Sequence, residues 1–329
     1  MMNWKKWKKA LAAATLAVSI GLVAGCGGDK AQDSKAAYNI GVVQLVEHAA
    51  LDAANKGFVD GLASKGFKDN VKFDQQNAQA DQSNLANISQ RFVNNKVDLI
   101  CAIATPAAQS VANVTKDIPI VATAVTDYEE AKLIESNAKP NTNVTGTTDM
   151  NPIKEQIDLM LKLVPNTKTI GTVYCSSEVN SQKQIDIMKA YAQSKGIKVV
   201  EATVSTVNDI QQAAQSIVGK VDAIYIPTDN ILASAMPTLT AITDAAKVPV
   251  ICGEANMVKA GGLATLGVDY YKLGFQTGEM AADILAGKSK PATMAIQSLK
   301  EMTLTINEEN AKKLGIEIPA DLKAQAGIK

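Results

Sequence analysis

Two stretches of this chain decide how the rest is read: "KVDLICAIATPAAQS" (Lys96–Ser110) and "KVDAIYIPTDNILAS" (Lys220–Ser234). Each begins Lys-Val-Asp and continues as an apolar run. Each then places a Thr beside a Pro and passes into a small or polar stretch suited to open a helix. The same strand-to-helix element is written twice, more than a hundred residues apart.

The duplication extends outward from these two copies. Before and after the first lie "NIGVVQL" (39–45), "VKFDQQ" (71–76), "IPIVAT" (118–123) and a weaker "NVTGTT" (143–148). Around the second lie "TIGTVYC" (169–175), "IKVVEA" (197–202), "VPVICG" (248–253) and "LATLGV" (263–268). The runs are short, apolar and β-branched, and amphipathic stretches such as Leu51–Lys65 and Gln82–Asn95 separate them. In the latter, Leu85, Ile88, Phe92 and Val93 recur at helical spacing. Strands alternating with helices mean βαβ units and parallel sheets. The fold class is therefore α/β: two doubly wound parallel-sheet lobes of similar topology, joined by a hinge. "TDMNP" breaks the pattern near Met150–Asn151 and marks the first crossing between lobes. The pattern predicts a helix over 270–286, then "PATMAIQ", then one more strand and a short helix capped by Asn307. The expected lobes are residues 38–149 plus 269–298 and residues 150–268 plus 299–329.

The first residues form a separate object. "MMNWKKWKK" carries four lysines and no acid, and "ALAAATLAVSIGLVAG" follows as an apolar run. A basic start before a short apolar segment is the layout of an export signal. The run is short for a membrane span, which needs about 20 apolar residues. It ends in "LVAGC", which resembles a bacterial lipoprotein signal. That resemblance implies a signal peptide over 1–25, cleavage before Cys26, and acylation of the Cys26 thiol by chains such as palmitate. "GGDKAQDSKAA" (27–37) is small and polar, so residues 26–37 read as a flexible tether. Loss of the signal would leave 29 basic residues against the chain's 33 acids.

Composition narrows the function. Basic and acidic residues balance at 33 each, and Arg91 is the only arginine, so no nucleic-acid partner is expected. Cys101, Cys175 and Cys252 are odd in number, lack metal-ligand spacing and read as small buried hydrophobes. His48 is the only histidine. No G-x-S-x-G elbow, phosphate loop or dinucleotide fingerprint is present. The expectation is a non-enzyme with no catalytic residues, no metal and no cofactor.

Open α/β sheets bind ligands beyond the carboxyl ends of their strands. The post-strand residues are Glu47, His48, Thr105, Pro106, Thr126 and Asp127 in the first set. In the second they are Ser176, Ser177, Glu178, Asn180, Thr228, Asp229, Asn230, Glu254 and Asp269. Hydroxyls beside helix N-termini suit a small carboxylate, because those termini present unpaired N–H groups. Glu47, Asp229 or Asp269 would suit an ammonium. Simpler roles exist for several: Thr105, Ser177 and Thr228 as helix caps, His48 as a packing histidine. Asp127 and Glu254 read more readily as solvated loop acids, and Tyr270 and Tyr271 as helix openers.

"IGVVQLVEHAALDAANKGFVDGL" (40–62), "ATPAAQS" (104–110), "AVTD" (124–127), "PTDN" (227–230) and "VDYYKLGFQTGEMAADIL" (268–285) together resemble the substrate-binding proteins of ABC transporters, tryptophan/tyrosine-type group. The resemblance runs through nearly all of the chain after the tether. It implies a type I periplasmic-binding-protein fold and an exported receptor, lipid-anchored through Cys26 on the outer face of the membrane and monomeric. Such a receptor hands an amino acid, aromatic by the group's name, to a membrane permease driven by an ATPase. Where the family often has Pro after "VEH", this chain has Ala49, which removes a φ restraint at that turn. The alternatives are a nucleoside- or branched-chain-amino-acid-binding lipoprotein and a ligand-sensing subunit of a membrane receptor.

Overall fold

The computed structural model describes residues 38–328. The signal peptide, the Cys26 acylation site and the tether lie outside the described residues. The first lobe opens with β1 (Tyr38–Gln44), α1 (Ala49–Ser64), β2 (Val71–Asn77), α2 (Gln82–Asn94), β3 (Leu99–Ile103), α3 (Thr105–Val114), β4 (Ile120–Val125) and β5 (Val144–Thr148). The second follows with α4 (Ile153–Leu163), β6 (Thr169–Cys175), α5 (Val179–Ser194), β7 (Lys198–Val204), α6 (Ile210–Ile217), β8 (Ala223–Ile226), α7 (Asn230–Ser234), α8 (Met236–Ala245), β9 (Val250–Cys252), α9 (Ala255–Lys259) and β10 (Ala264–Gly267). The chain closes with α10 (Tyr270–Leu285), β11 (Gln297–Ser298), β12 (Thr303–Ile306), α11 (Glu308–Leu314) and α12 (Ala320–Ala326).

The strands form two six-stranded sheets of matching order. One runs β2-β1-β3-β4-β5-β11, the other β7-β6-β8-β9-β10-β12. The first is parallel throughout, while β12 runs antiparallel to β10. The duplicated stretch supplies the same strand in both: β3 and β8 each lie beside the first strand of their set. Central strands are buried on both faces, as in "LICAI" of β3 and "AIYI" of β8, because helices cover both sides. That explains why the sequence shows continuous apolar runs there rather than alternation. The outer strands β2 and β7 are only partly buried. Cys101, Cys175 and Cys252 are free and buried at strand positions.

The chain passes between the sheets three times: after β5, after β10, and between β11 and β12. Asn151, in the first crossing, ties two of them together. Its Nδ2 donates to the Gly253 carbonyl at 2.9 Å and its Oδ1 accepts from Val268 N–H at 3.1 Å. Gln156 extends this join, donating to the Gly253 and Leu266 carbonyls at 3.1 and 2.8 Å and accepting from Tyr225 OH at 2.8 Å. Asn151 thus fixes the first two crossings to each other, and Gln156 anchors α4 to the strand ends of the second lobe. No described helix is long and apolar enough to cross a membrane.

Candidate functional site

The carboxyl ends of both sheets face one narrow cavity between the lobes. Its lining holds no Lys or Arg. Positions along the sheet edge set its two ends. β1 and β5 are three strand steps apart in the order β1-β3-β4-β5, roughly 14 Å at the usual inter-strand spacing. His48, after β1, therefore marks one end. Asp149, after β5, marks the other.

At the His48 end the lobes touch. His48 Nε2 lies 3.3 Å from Asn230 Oδ1. Asn230 Nδ2 donates to Glu178 Oε2 at 2.6 Å, so the amide's oxygen must face His48. Nε2 therefore carries the proton and donates, which leaves Nδ1 as an acceptor. Nδ1 is buried and has no partner. Burial lowers the His48 pKa, opposed by the Asn230 hydrogen bond and the nearby Asp52 charge, so the ring is neutral. Asn180 Nδ2 donates to Glu178 Oε2 at 2.9 Å and to the Thr228 carbonyl at 3.1 Å. Its Oδ1, like Glu178 Oε1, is buried without a partner. Two orphaned acceptors thus gather at this end, with Glu178 Oε1 as a third once its carboxyl is ionised. An unmet buried acceptor costs free energy that a ligand donor recovers.

The same end presents donors. α1 begins beside His48 with no side-chain cap, so its first amides lack helical partners. Ala50 and Leu51, in that first turn, line the cavity. The end of the cavity offers N–H groups on one side and acceptors on the other, which is the pattern of a zwitterion.

Four carboxylates surround the cavity, and two are already committed. Asp229 accepts from Leu232 N–H at 2.9 Å as the cap of α7, and from Cys175 N–H and Ser181 Oγ at 2.6 and 2.7 Å. Glu254 caps α9 through the Met257 and Asn256 amides at 2.7 and 2.6 Å. Glu178 and Asp149 keep spare accepting capacity. Asp149 holds one donor on each oxygen, Thr126 Oγ at 2.9 Å and Tyr270 OH at 2.6 Å. Burial raises the pKa of all four, with Glu178 pushed up to about 8 by burial and then by the Asp229 charge.

Of the residues expected from sequence, His48, Thr126, Asn180, Thr228, Asp229 and Asn230 line the cavity, and Glu178 stands behind Asn180 and Asn230. The others lie elsewhere. Glu47 is exposed in the loop between β1 and α1. Thr105 and Pro106 are buried in the first turn of α3; Thr105 Oγ has no partner, and Pro106 faces an outer groove with Ser177. Ser176 and Ser177 are exposed, and Ser177 Oγ meets Cys175 Sγ at 3.2 Å. Asp269 is an exposed cap of α10, accepting from Lys272 N–H at 3.1 Å. Asp127 sits at the rim, with Lys183 Nζ 3.6 Å away. Asp149 and Met257 were not among the sequence candidates, and Glu254 and Tyr270 had been assigned simpler roles; all four line the cavity. The signal for Asp149 was its place after the weak fifth strand. Among the described residues, no group of three or more His, Cys, Asp and Glu side chains could hold a metal.

Residues 39–328 match the family described as ABC transporter substrate binding protein. A tyrosine-binding protein from Clostridioides difficile is 45% identical over 88% of this chain and 84% of its own length. The solved ABC domain in complex with L-Trp from Streptococcus pneumonia is 41% identical, with a TM-score of 0.86 over 89% of this chain and 99% of that one. A ligand-free, open substrate-binding protein with adhesive properties from Clostridium difficile is 45% identical, with a TM-score of 0.67 over 86% and 97% of the two chains. Solved binding proteins at 17 and 18% identity share the fold, with TM-scores of 0.61 and 0.60. Two matched doubly wound lobes, one cavity between their strand ends and a family match through both lobes lead to one statement: the chain belongs to the ABC transporter substrate-binding protein family, in its type I periplasmic-binding form.

Proposed function

We propose that this protein captures tyrosine or tryptophan between its lobes and delivers it to a membrane permease for import. The observation that carries this reading is the zwitterion-shaped end of the cavity. The ligand carboxylate takes the free amides of the first turn of α1. Its ammonium donates to His48 Nδ1, Asn180 Oδ1 and Glu178 Oε1, three acceptors for three N–H bonds. The ring extends toward Asp149. The relatives named for tyrosine and crystallised with L-Trp support the ligand class. The lobes, taken as 38–149 plus 269–298 and 150–268 plus 299–329, swing about the hinge to admit and enclose the ligand. The protein works as a monomer without catalysis, exported and held at the outer face of the membrane by lipid on Cys26. A separate ATPase drives the permease.

A thermal-shift panel of the twenty amino acids, nucleosides and sugars tests the ligand class. Tyrosine or tryptophan at about a hundred times Kd should add about 2.7 kcal/mol of stability. A shift with nucleosides or leucine alone would overturn the reading.

Closure has a visible fastening at the cavity mouth. Lys183 of α5 pairs with Glu130 at 2.8 Å, on the loop after β4, with Asp127 beside it. These groups belong to opposite lobes and are partly exposed, so the pair is modest and screened by salt. Lys183→Gln should speed ligand release roughly twofold to fivefold at low salt. The difference should vanish at about 1 M salt, where the screening length shrinks to about 3 Å. Stopped-flow release kinetics read both. Equal release rates at low salt would remove the fastening.

A further inference from the structure

We infer that Asp149 reads a hydrogen-bond donor on the ligand's ring, so that the site selects tyrosine and tryptophan over phenylalanine. The inference rests on the amino acid reading of the cavity and adds a specificity determinant to it.

The acceptors are more numerous than an ammonium needs. Two orphaned ones already cluster at the His48 end, with Glu178 Oε1 as a third once its carboxyl is ionised. Asp149 lies at the far end of the sheet edge, with one donor on each oxygen and lone pairs to spare. It is 3% exposed and lines the cavity. Thr126 and Tyr270 fix its carboxyl plane, so it is oriented before any ligand arrives. Neither donor is a cation, and no Lys or Arg lines the cavity to neutralise it. A buried carboxylate in that state gains from another donor. The roughly 14 Å of backbone between the two ends leaves side chains reaching inward from both. A zwitterion seated at the His48 end therefore projects its side chain toward Asp149. Alanines line the path, Ala124 beside Asp149 and Ala233 from the opposite lobe, and Met257 supplies a deformable apolar contact. A phenol O–H or indole N–H arriving there meets an acceptor. A plain phenyl edge leaves the carboxylate under-solvated.

Asp149 also sits in the first crossing between the lobes, and Tyr270 just after the second. A ligand donor on Asp149 therefore adds a bond at the hinge itself.

Titration calorimetry on the full protein tests this with matched ligands. Tyrosine should bind roughly tenfold to a hundredfold tighter than phenylalanine, the range expected when a buried acceptor loses its donor. Tryptophan should beat 3-benzothienylalanine, which replaces the indole N–H with sulfur at nearly the same shape, by a similar factor. In Asp149→Asn, whose amide can turn N–H bonds toward the ring, the tryptophan ratio should fall to about one, the tyrosine ratio should shrink only in part because a phenol oxygen also accepts, and phenylalanine affinity, relieved of an under-solvated carboxylate, should not fall. Preserved phenylalanine binding also shows that the variant is folded. If wild-type protein binds phenylalanine as tightly as tyrosine, the inference fails and the capture reading stands. If Asp149→Asn weakens tyrosine and phenylalanine equally, Asp149 holds the ammonium, and the inference is overturned. If none of these amino acids binds wild-type protein, the capture reading itself fails.

Discussion

Gly274→Val should cost about 3–5 kcal/mol, enough to leave little folded protein at 37 °C. α1 and α10 cross with their backbones in contact. A Cβ on Gly274 would stand 1.9 Å from the Ala54 carbonyl oxygen. The crossing is glycine on both sides: Gly57 would meet the Tyr271 carbonyl at 2.1 Å, Gly61 that of Phe275 at 2.1 Å, and Gly278 that of Phe58 at 2.2 Å. These contacts are all with backbone atoms, so no side chain can swing away; the helices must separate. Separation would also move the site. α1 carries the free amides and follows His48, while α10 begins at Tyr270, which holds Asp149. Urea denaturation gives the measurement. Gly219→Ala is the control, because its added Cβ would meet nothing within 4 Å. It should change stability by less than about 0.5 kcal/mol. A Gly274→Val protein within about 1 kcal/mol of the wild type would show that the helices do not pack as closely as described.

The helices of that crossing were legible from sequence, but their contact was not. Periodicity placed helices over 51–65 and 270–286, close to the observed α1 and α10. Glycines four residues apart on each were visible, yet only the third dimension pairs residue 57 with residue 271. The sheets were legible because duplication does not depend on boundaries; the repeat implied two lobes of similar topology, and the structure gives the same strand order in both. The site was legible where position decided it. His48, Asn180 and Thr228 to Asn230 follow central strands and reach the cavity. Glu47, Ser176, Ser177 and Asp269 also follow strands, yet the first three lie in loops that turn to solvent and Asp269 caps α10. Glu254 read as a solvated loop acid because burial leaves no mark on a single residue; it caps a five-residue helix at the cavity wall. Asp149 was hidden by "TDMNP", a break that describes the hinge and says nothing of a carboxyl turned back into the cleft.

Glu178→Gln should stabilise the ligand-free protein at pH 8 by about 1–3 kcal/mol and flatten its pH dependence. In the native state Glu178 is 3% exposed and near Asp229, and its pKa rises from 4.5 to about 8. The unfolded chain releases this proton near pH 4.5, while the native protein keeps it until about pH 8. Between those values the native state binds more protons, so stability is fullest at low pH and falls as pH rises through the window. Asp229, also raised by burial, acts in the same direction. His48 acts in the opposite one. Its native pKa lies below 6.5, so its contribution is complete above about that pH. The interval from about pH 6.5 to 8 therefore isolates the carboxylates. Ligand should reverse the slope. An ammonium at Glu178 Oε1 favours the ionised form, so tyrosine binding expels a proton and affinity rises by up to about tenfold per pH unit across that interval. Calorimetry in buffers of different ionisation heat should find close to one proton released per tyrosine near pH 7, and none in Glu178→Gln. If wild-type stability stays flat from pH 6.5 to 8 and binding moves no proton, Glu178 is already ionised in its buried place. The cavity would then need a cation other than the ligand to hold it.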